Sequence, residues 1–254
     1  MSNIANGTIR CSECNKEYET SLNTSVNSKV NPELRIQIIK GIFFQKECVF
    51  CKHKNEVSYE VLYHDMESRF LVWLVKPDRR NYIYMQEYSL QLGLHAFNGY
   101  RFYIARSPLH WVERILTAEH NINPKILELY KFGLKEQLGF PLVTENDFLY
   151  FEGISKNIFG KTCYDWKIIY DNGDIKKLSR KVNKNKLNAY EKLLSSVTKP
   201  NKGSKWELID WQYPFGLAVR DGELIELAKT SNFIEFGENR IKLPSQFLEV
   251  ASHI

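Results

Sequence analysis

Two cysteine pairs in the N-terminal part of the chain carry the strongest chemical signal in this sequence. Each pair has the spacing C-x-x-C, and 33 residues separate the two pairs. The four residues are Cys11, Cys14, Cys48 and Cys51. A C-x-x-C turn brings two sulfurs together, and two such turns facing each other supply the four thiolates of a tetrahedral site. We therefore predict that these four cysteines bind one structural zinc ion.

The sequence also allows other interpretations of these cysteines. A redox-active dithiol needs only one C-x-x-C pair, at the N-terminus of a helix that follows a strand. His53, two residues after Cys51, could replace one thiolate as a ligand. A catalytic zinc usually keeps a position for water and has fewer protein ligands, so four cysteines favour a structural ion. The fifth cysteine, Cys163, stands alone and is predicted to be a small core residue.

Few histidines and carboxylates are spaced so that they could form a catalytic or metal-binding group. His64 and Asp65 are adjacent near a strand end, and we expect them to cap a turn, because neighbours on a strand point to opposite faces. His110 and Glu113 are three residues apart on a predicted helix and could bind a metal, but a solvated helix face is the simpler expectation. An enzyme would need scattered groups, such as His95, to converge in a pocket. No catalytic-triad, phosphate-loop or H-E-x-x-H motif is present, so no small-molecule substrate is evident and the sequence favours a protein that is not an enzyme.

Basic residues are concentrated in one stretch of the chain. Residues 156–205 contain 13 Lys and Arg but only four Asp and Glu, whereas the whole chain has a net charge of +5. The densest run, Ile175 to Lys186, has six basic residues and no acidic one: Lys176, Lys177, Arg180, Lys181, Lys184 and Lys186. With Tyr164, Trp166 and Tyr170 nearby, this basic tract could contact phosphates and stack on bases of a nucleic acid. The alternative is a solvated loop or helix face.

Composition and hydropathy predict a cytoplasmic protein without a membrane partner. Hydrophobic residues make up 43% of the 254 residues and charged residues 26%, which is typical of globular proteins. No apolar run approaches the roughly 20 residues that cross a bilayer. The first ten residues contain no apolar segment of the kind found in a signal peptide.

Helix-capping residues and hydrophobic periodicity predict the helices and strands that position the cysteines. The turns Cys11–Cys14 and Cys48–Cys51 are called the first and the second knuckle. Asn31-Pro32 predicts the start of a helix between the two knuckles, and Gly41 predicts its end. A strand at 42–44 is then predicted to lead to Cys48. Strands at 57–63 and 69–75 are predicted to form an antiparallel hairpin.

The rest of the chain combines two helices with a second set of strands. Ser107-Pro108 and Asn123-Pro124 each predict a helix start. Further along, strands around 148–151 and 166–170, a hairpin turn at Asn172-Gly173 and a helix over 187–197 are predicted. We therefore predict an α+β protein with a four-cysteine zinc ribbon, an inserted helix, central helices and a β-rich C-terminal region. The predicted domains are 1–140 and 141–254.

The residues around the knuckles resemble those of the CpXC-domain proteins, a bacterial family. The likeness covers roughly residues 9–138 and includes Asn31 to Arg35, Gly41, Tyr63 to Asp65 and the segment from Arg101. It implies that the four cysteines are the defining metal-type residues of the family, and it implies no activity. The chain departs from the family pattern in the knuckles, where Ser12 and Val49 replace proline, and Asn15 and Lys52 replace glycine. Because glycine tolerates a positive φ angle, we expect Lys52 to adopt it at a cost.

These observations together predict a non-catalytic zinc-ribbon module. It would bind another macromolecule, either a protein partner or a nucleic acid, while the zinc ion stabilises its fold. The alternative is an enzyme whose His, Asp and Glu residues are not recognisable from their spacing.

Overall fold

The fold is α+β, as predicted from the sequence. A computed structural model describes residues 3–75, 99–138, 148–197, 206–208, 233–236 and 239–242. The chain divides into two compact units, Met1–Ile115 with Gly203–Leu208, and Leu116–Lys202 with Ile209–Ile254. Within the described ranges, none of the helices combines the length and the apolar character needed to cross a membrane.

Each cysteine knuckle of the first unit lies at the tip of a β-hairpin. Strands β1 (Ile4–Arg10) and β2 (Glu17–Asn23) are antiparallel and enclose the first knuckle. Strands β4 (Gln45–Glu47) and β5 (Lys54–Glu56) are antiparallel and enclose the second. The two hairpins form the predicted four-cysteine ribbon.

The helix predicted between the knuckles is confirmed. After β3 (Ser25–Asn27), helix α1 runs over Pro32–Ile39 with proline in its first turn. The chain leaves the helix through Gly41, whose φ of 72° is one that glycine adopts readily. The side chain of Asn31 does not cap the helix.

The strand predicted at residues 42–44 is wrong, because the chain forms a turn there and β4 begins three residues later. Phe43 and Phe44 are buried, and each ring centroid lies 5.7 Å from that of Trp111. Both aromatic side chains therefore point into one cluster, whereas neighbouring residues of a strand would point to opposite faces. Packing of the two rings against Trp111 therefore determines the backbone conformation of this segment.

A five-stranded sheet forms the core of the first unit. Its order is β12–β8–β7–β6–β3, with β6 (Val61–Asp65), β7 (Phe70–Leu74), β8 (Arg101–Ala105) and β12 (Trp206–Leu208). The pair β6–β7 is the predicted antiparallel hairpin, although β6 starts four residues after the predicted position. The other three pairings are parallel.

Helix α2 (Pro108–Glu119) starts at the predicted Ser107-Pro108 signal. Its Trp111 is fully buried and donates a hydrogen bond of 3.0 Å from Nε1 to the carbonyl oxygen of Val72 on β7. This bond satisfies the indole N–H inside the core and ties the helix to the sheet of the first unit.

The second unit contains an antiparallel sheet of order β11–β10–β9. The strands are β9 (Phe148–Lys156), β10 (Thr162–Ile169) and β11 (Ile175–Lys181). Gly173, with a φ of 86°, forms the predicted hairpin turn between β10 and β11. Cys163 is buried on β10, as predicted.

Two helices and a small hairpin complete the described part of the second unit. Helix α3 spans Pro124–Leu138, and helix α4 spans Lys184–Val197. Trp166 of β10 is fully buried and stacks on Tyr130 of α3 at a centroid distance of 6.0 Å. Strands β13 (Phe233–Phe236) and β14 (Asn239–Lys242) are antiparallel.

Candidate metal centre

The two knuckles bring all four predicted cysteine sulfurs together. The Sγ atoms lie within 4.8 Å of one another, with 3.5 Å between those of Cys11 and Cys51 and 3.7 Å between those of Cys14 and Cys48. A disulfide needs about 2.05 Å, so the cysteines are free thiols. Tetrahedral bonds of about 2.3 Å from a central ion to sulfur place the sulfurs about 3.8 Å apart. The spacing therefore fits a metal ion bound by four thiolates.

Both knuckles have the same backbone hydrogen bonds. The carbonyl of Cys11 accepts from the N–H of Asn15 at 3.0 Å, and the carbonyl of Cys48 accepts from the N–H of Lys52 at 2.9 Å. Asn15 has a φ of 57° and Lys52 a φ of 64°. Both residues after the knuckles therefore adopt the left-handed conformation that the resemblance predicts. Asparagine tolerates it better than lysine does.

Asn55 on β5 joins the two knuckles through one side-chain amide. Its Oδ1 accepts hydrogen bonds from the backbone N–H of Ser12 at 2.8 Å and from the Ser12 hydroxyl at 3.1 Å. Its Nδ2 lies 3.6 Å from Cys11 Sγ and 3.1 Å from the hydroxyl of Tyr18. Since Asn55 is only 6% exposed, these contacts are protected from water. The sequence offers no pattern by which this residue could have been recognised.

The environment shifts the pKa of two thiols in opposite directions. The backbone N–H of Cys14 donates to Cys11 Sγ, and with the Asn55 amide it lowers the pKa of Cys11 to about 6 against the effect of burial. At Cys51, the backbone N–H of His53 lowers the pKa, but desolvation and the three neighbouring thiols together raise it to about 12. The surroundings of Cys11 therefore favour its thiolate, whereas those of Cys51 favour the proton on its thiol. A divalent cation would displace that proton, as thiolate ligation requires.

Among the described residues, the apolar cluster around the cysteines is small. Cys11, Cys48 and Tyr18 form a small buried cluster, against which Ile9 and Cys14 pack. A cluster of this size cannot by itself offset the conformational entropy of two ordered hairpins. Cross-linking of the knuckles by a metal ion would supply the missing stabilisation.

The other residues considered near the ribbon and the central sheet have structural roles. The side chain of His53 is exposed, and His53 is not part of the cysteine cluster. Asp65 Oδ1 accepts a hydrogen bond of 2.7 Å from the N–H of Ser68, which confirms the predicted turn cap. His64 Nε2 lies 3.4 Å from the hydroxyl of Tyr100. His95 lies outside the described residues.

The expectation that His110 and Glu113 lie on a solvated helix face is wrong. His110 is 9% exposed and Glu113 is 1% exposed. Arg114 is also buried and contacts both residues. Its Nη2 lies 3.1 Å from Glu113 Oε2, and its Nε donates a hydrogen bond of 3.0 Å to His110 Nε2. A buried carboxylate is tolerated when a cation pairs with it. The spacing of His110 and Glu113 does not predict their burial, because burial depends on the cation of Arg114 beside them.

The basic tract spans β11 and the first turn of α4, and its side chains divide between two faces. In the register with β10, Lys176 is opposite Ile168 and Arg180 is opposite Tyr164, so they share the face of these buried side chains. Lys177 is on the other face and pairs with Glu152 on β9, with 3.1 Å between Nζ and Oε2. Lys181 follows at the end of β11, and Lys184 and Lys186 are at the start of α4.

Comparison with known proteins identifies the first part of the chain. Residues 9–131 match the family model described as CpXC protein. No curated protein and no solved structure matches the chain. The matched range contains both knuckles and the five-stranded sheet apart from β12, and it agrees with the resemblance found in the sequence. The chain therefore carries a CpXC domain over residues 9–131.

Proposed function

We propose that the CpXC domain is a non-catalytic zinc-ribbon module that binds a protein partner. The observation that carries this proposal is the closed set of four sulfurs at tetrahedral spacing. Four protein ligands fill a tetrahedral ion, so no position is open for water or a substrate. Zinc is the ion proposed, because tetrahedral thiolate sites select zinc over hard cations such as magnesium or calcium.

Exposed apolar side chains on the second knuckle and around α1 support a protein partner. Val49 and Phe50 stand between the two cysteines of the second knuckle and are 58% and 54% exposed. Lys16 lies over the Phe50 ring, with its Nζ 4.9 Å from the ring centroid. Ile36 and Ile42, on and just after α1, are also exposed. Aromatic side chains on a rigid knuckle are suited to fill a pocket in another protein.

The zinc part of the proposal is tested by metal content. We expect the purified protein to contain one zinc ion per chain, and Cys14→Ser to lose both the zinc and the soluble folded state. Cys163→Ser is the matched control, because it removes the cysteine that lies outside the cluster and should retain zinc. A soluble, cooperatively folding Cys14→Ser protein without metal would contradict a structural role for zinc.

The partner is tested by site-specific cross-linking in cells. A photoreactive phenylalanine analogue in place of Phe50 should give a discrete protein adduct, because the ring is exposed on the knuckle. The same analogue in place of Glu19, exposed on β2, is the control. Equal adducts at both positions, or none at Phe50, would contradict a protein-binding knuckle.

A further inference from the structure

The second unit contains an open groove with a volume of about 1000 Å³. Three segments form its walls: the turn between α2 and α3, the β9–β10 hairpin, and the junction of β11 with α4. This volume is at the upper end of the range of small-molecule pockets, about 300–1,000 Å³. The groove is therefore large enough for several units of an extended polymer.

Positive charge is concentrated along this groove. Lys161 from the hairpin, Lys181 from β11 and Lys184 from α4 line it, and all three are exposed. Among the described residues, none of the three forms an ion pair with a carboxylate. Of the described residues that line the wall, Glu191 alone carries a carboxylate. Three lysines from three separate elements thus face one groove, which favours a ligand with repeated negative charges.

The start of two helices at the same wall adds to this potential. Asn123 precedes α3 and accepts a hydrogen bond of 3.0 Å from the N–H of Lys125. Asn183 precedes α4 and accepts one of 3.2 Å from the N–H of Lys186. Both asparagines line the groove. Since helix N-termini carry partial positive charge, they reinforce the lysines.

An exposed aromatic residue stands directly before two residues of the groove wall. Phe159 is 75% exposed and precedes Gly160, which lines the wall. The turn that carries Phe159 is rigid: Asn157 Oδ1 accepts from the N–H groups of Phe159 and Lys161, both at 3.0 Å, and Gly160 has a φ of 69°. The Phe159 ring is thus exposed to solvent on the turn that contributes Gly160 and Lys161 to the groove wall.

We propose that this groove binds single-stranded nucleic acid, with the three lysines contacting phosphates and Phe159 stacking on a base. Alternation of phosphates and bases along a single strand matches cations beside an exposed ring. A bilayer surface is a less suitable partner, because the lysines line a concave wall. Lys181 and Lys184 belong to the basic tract predicted from the sequence to bind nucleic acid, whereas Lys161 and Phe159 do not. The proposal is independent of the zinc module.

The first test is the salt dependence of binding. The full-length, zinc-loaded protein is titrated into fluorescent oligothymidylate and oligouridylate of about 12 nucleotides, within the range of single-strand sites. Three phosphate contacts predict a slope of log K against log salt of about −2, since each contributes about −0.7. Lys161→Ala, Lys181→Ala and Lys184→Ala should each reduce the slope by about 0.7. Lys177→Ala is the control, because its ammonium pairs with Glu152 outside the groove, and its slope should not change.

The second test separates stacking from membrane insertion. Phe159→Leu keeps an apolar side chain but removes the aromatic face, and it should weaken oligonucleotide binding about 5- to 150-fold. Ile158→Ser, at a residue that is 93% exposed, should leave oligonucleotide binding unchanged. Sedimentation with phosphatidylserine vesicles is measured for the same proteins. Circular dichroism confirms that each variant is folded.

Four results would overturn the proposal. The first is an absence of oligonucleotide binding at low salt. The second is an unchanged slope in the protein that combines the three lysine substitutions. The third is vesicle binding that Ile158→Ser abolishes, without oligonucleotide binding, which would assign the hairpin to an anionic membrane. The fourth is equal competition by inorganic phosphate at matched phosphate concentration, which would reduce the groove to a simple anion site.

Discussion

Replacing Asn55 with alanine should lower the zinc affinity of the ribbon by about 10- to 100-fold. The amide contacts the Cys11 sulfur at 3.6 Å and holds Ser12 on the first knuckle at 2.8 Å. Loss of a group that orients a metal ligand typically weakens metal binding by this factor. At about 1.4 kcal/mol per factor of ten, this is about 1.4–2.8 kcal/mol. The value agrees with the strength of one hydrogen bond to a charged acceptor, about 1.5–3 kcal/mol.

An aspartate at the same position provides a sharper form of the experiment. Asn55→Asp has nearly the same shape and can still accept from Ser12, but it puts a carboxylate oxygen where Nδ2 faced the Cys11 sulfur. The carboxylate repels the thiolate and cannot donate to it. We therefore expect Asn55→Asp to bind zinc more weakly than Asn55→Ala, although it is the more conservative replacement in volume.

The assay is competition for zinc with a chromophoric chelator at pH 7.5, together with denaturant unfolding of the zinc-loaded proteins. Asn6→Ala is the matched control, because Asn6 is exposed on β1 and should change neither quantity by more than about 0.5 kcal/mol. A zinc affinity of Asn55→Ala within twofold of the wild type would refute the reasoning. An Asn55→Asp protein that binds zinc as tightly as the wild type would refute it as well.

Three further predictions concern the fold. Lys52→Gly should raise the unfolding free energy by about 1 kcal/mol, because lysine at a φ of 64° is strained and glycine is not; an unchanged or lower denaturant midpoint would contradict this. Trp111→Phe should destabilise by about 1–2 kcal/mol more than Trp166→Phe, because Trp111 Nε1 donates at 3.0 Å, whereas Trp166 Nε1 has no partner among the described residues. Equal losses in thermal unfolding would contradict this. Burial lowers the pKa of His64 below 6.5, so the unfolded chain takes up the proton first and stability falls as the pH drops through that region. His64→Phe should lose less stability than the wild type between pH 7.5 and pH 5.5, and parallel urea curves would refute it.

The cysteine cluster was predictable because each of its two halves is a local sequence motif. Each C-x-x-C turn holds two sulfurs close together through its own spacing, and two such turns are typical of one shared site. The structure brings all four sulfurs within 4.8 Å. Helix starts were equally local: each Pro-containing signal, at Pro32, Pro108 and Pro124, begins a helix. Such features depend on a few adjacent residues and not on tertiary contacts.

The features that could not be predicted depend on distant residues. Phe43 and Phe44 form a turn because Trp111 packs against them. Glu113 is buried because Arg114 pairs with it inside the core. The role of Asn55 arises from contacts with residues about 40 positions earlier in the chain. In each case the local sequence allows several conformations, and packing selects one.

The parallel strand β12 has a consequence for synthesis of the protein. It pairs with β8, although about 100 residues of the chain, Arg106 to Lys205, separate the two strands. At about 5–20 residues per second, the ribosome adds that segment in roughly 5–20 s. During this interval the edge of β8 that will bind β12 is unpaired, and nascent chains on one messenger could pair through it. Both cysteine knuckles are synthesised early in translation, whereas the fifth strand of the sheet is added only late.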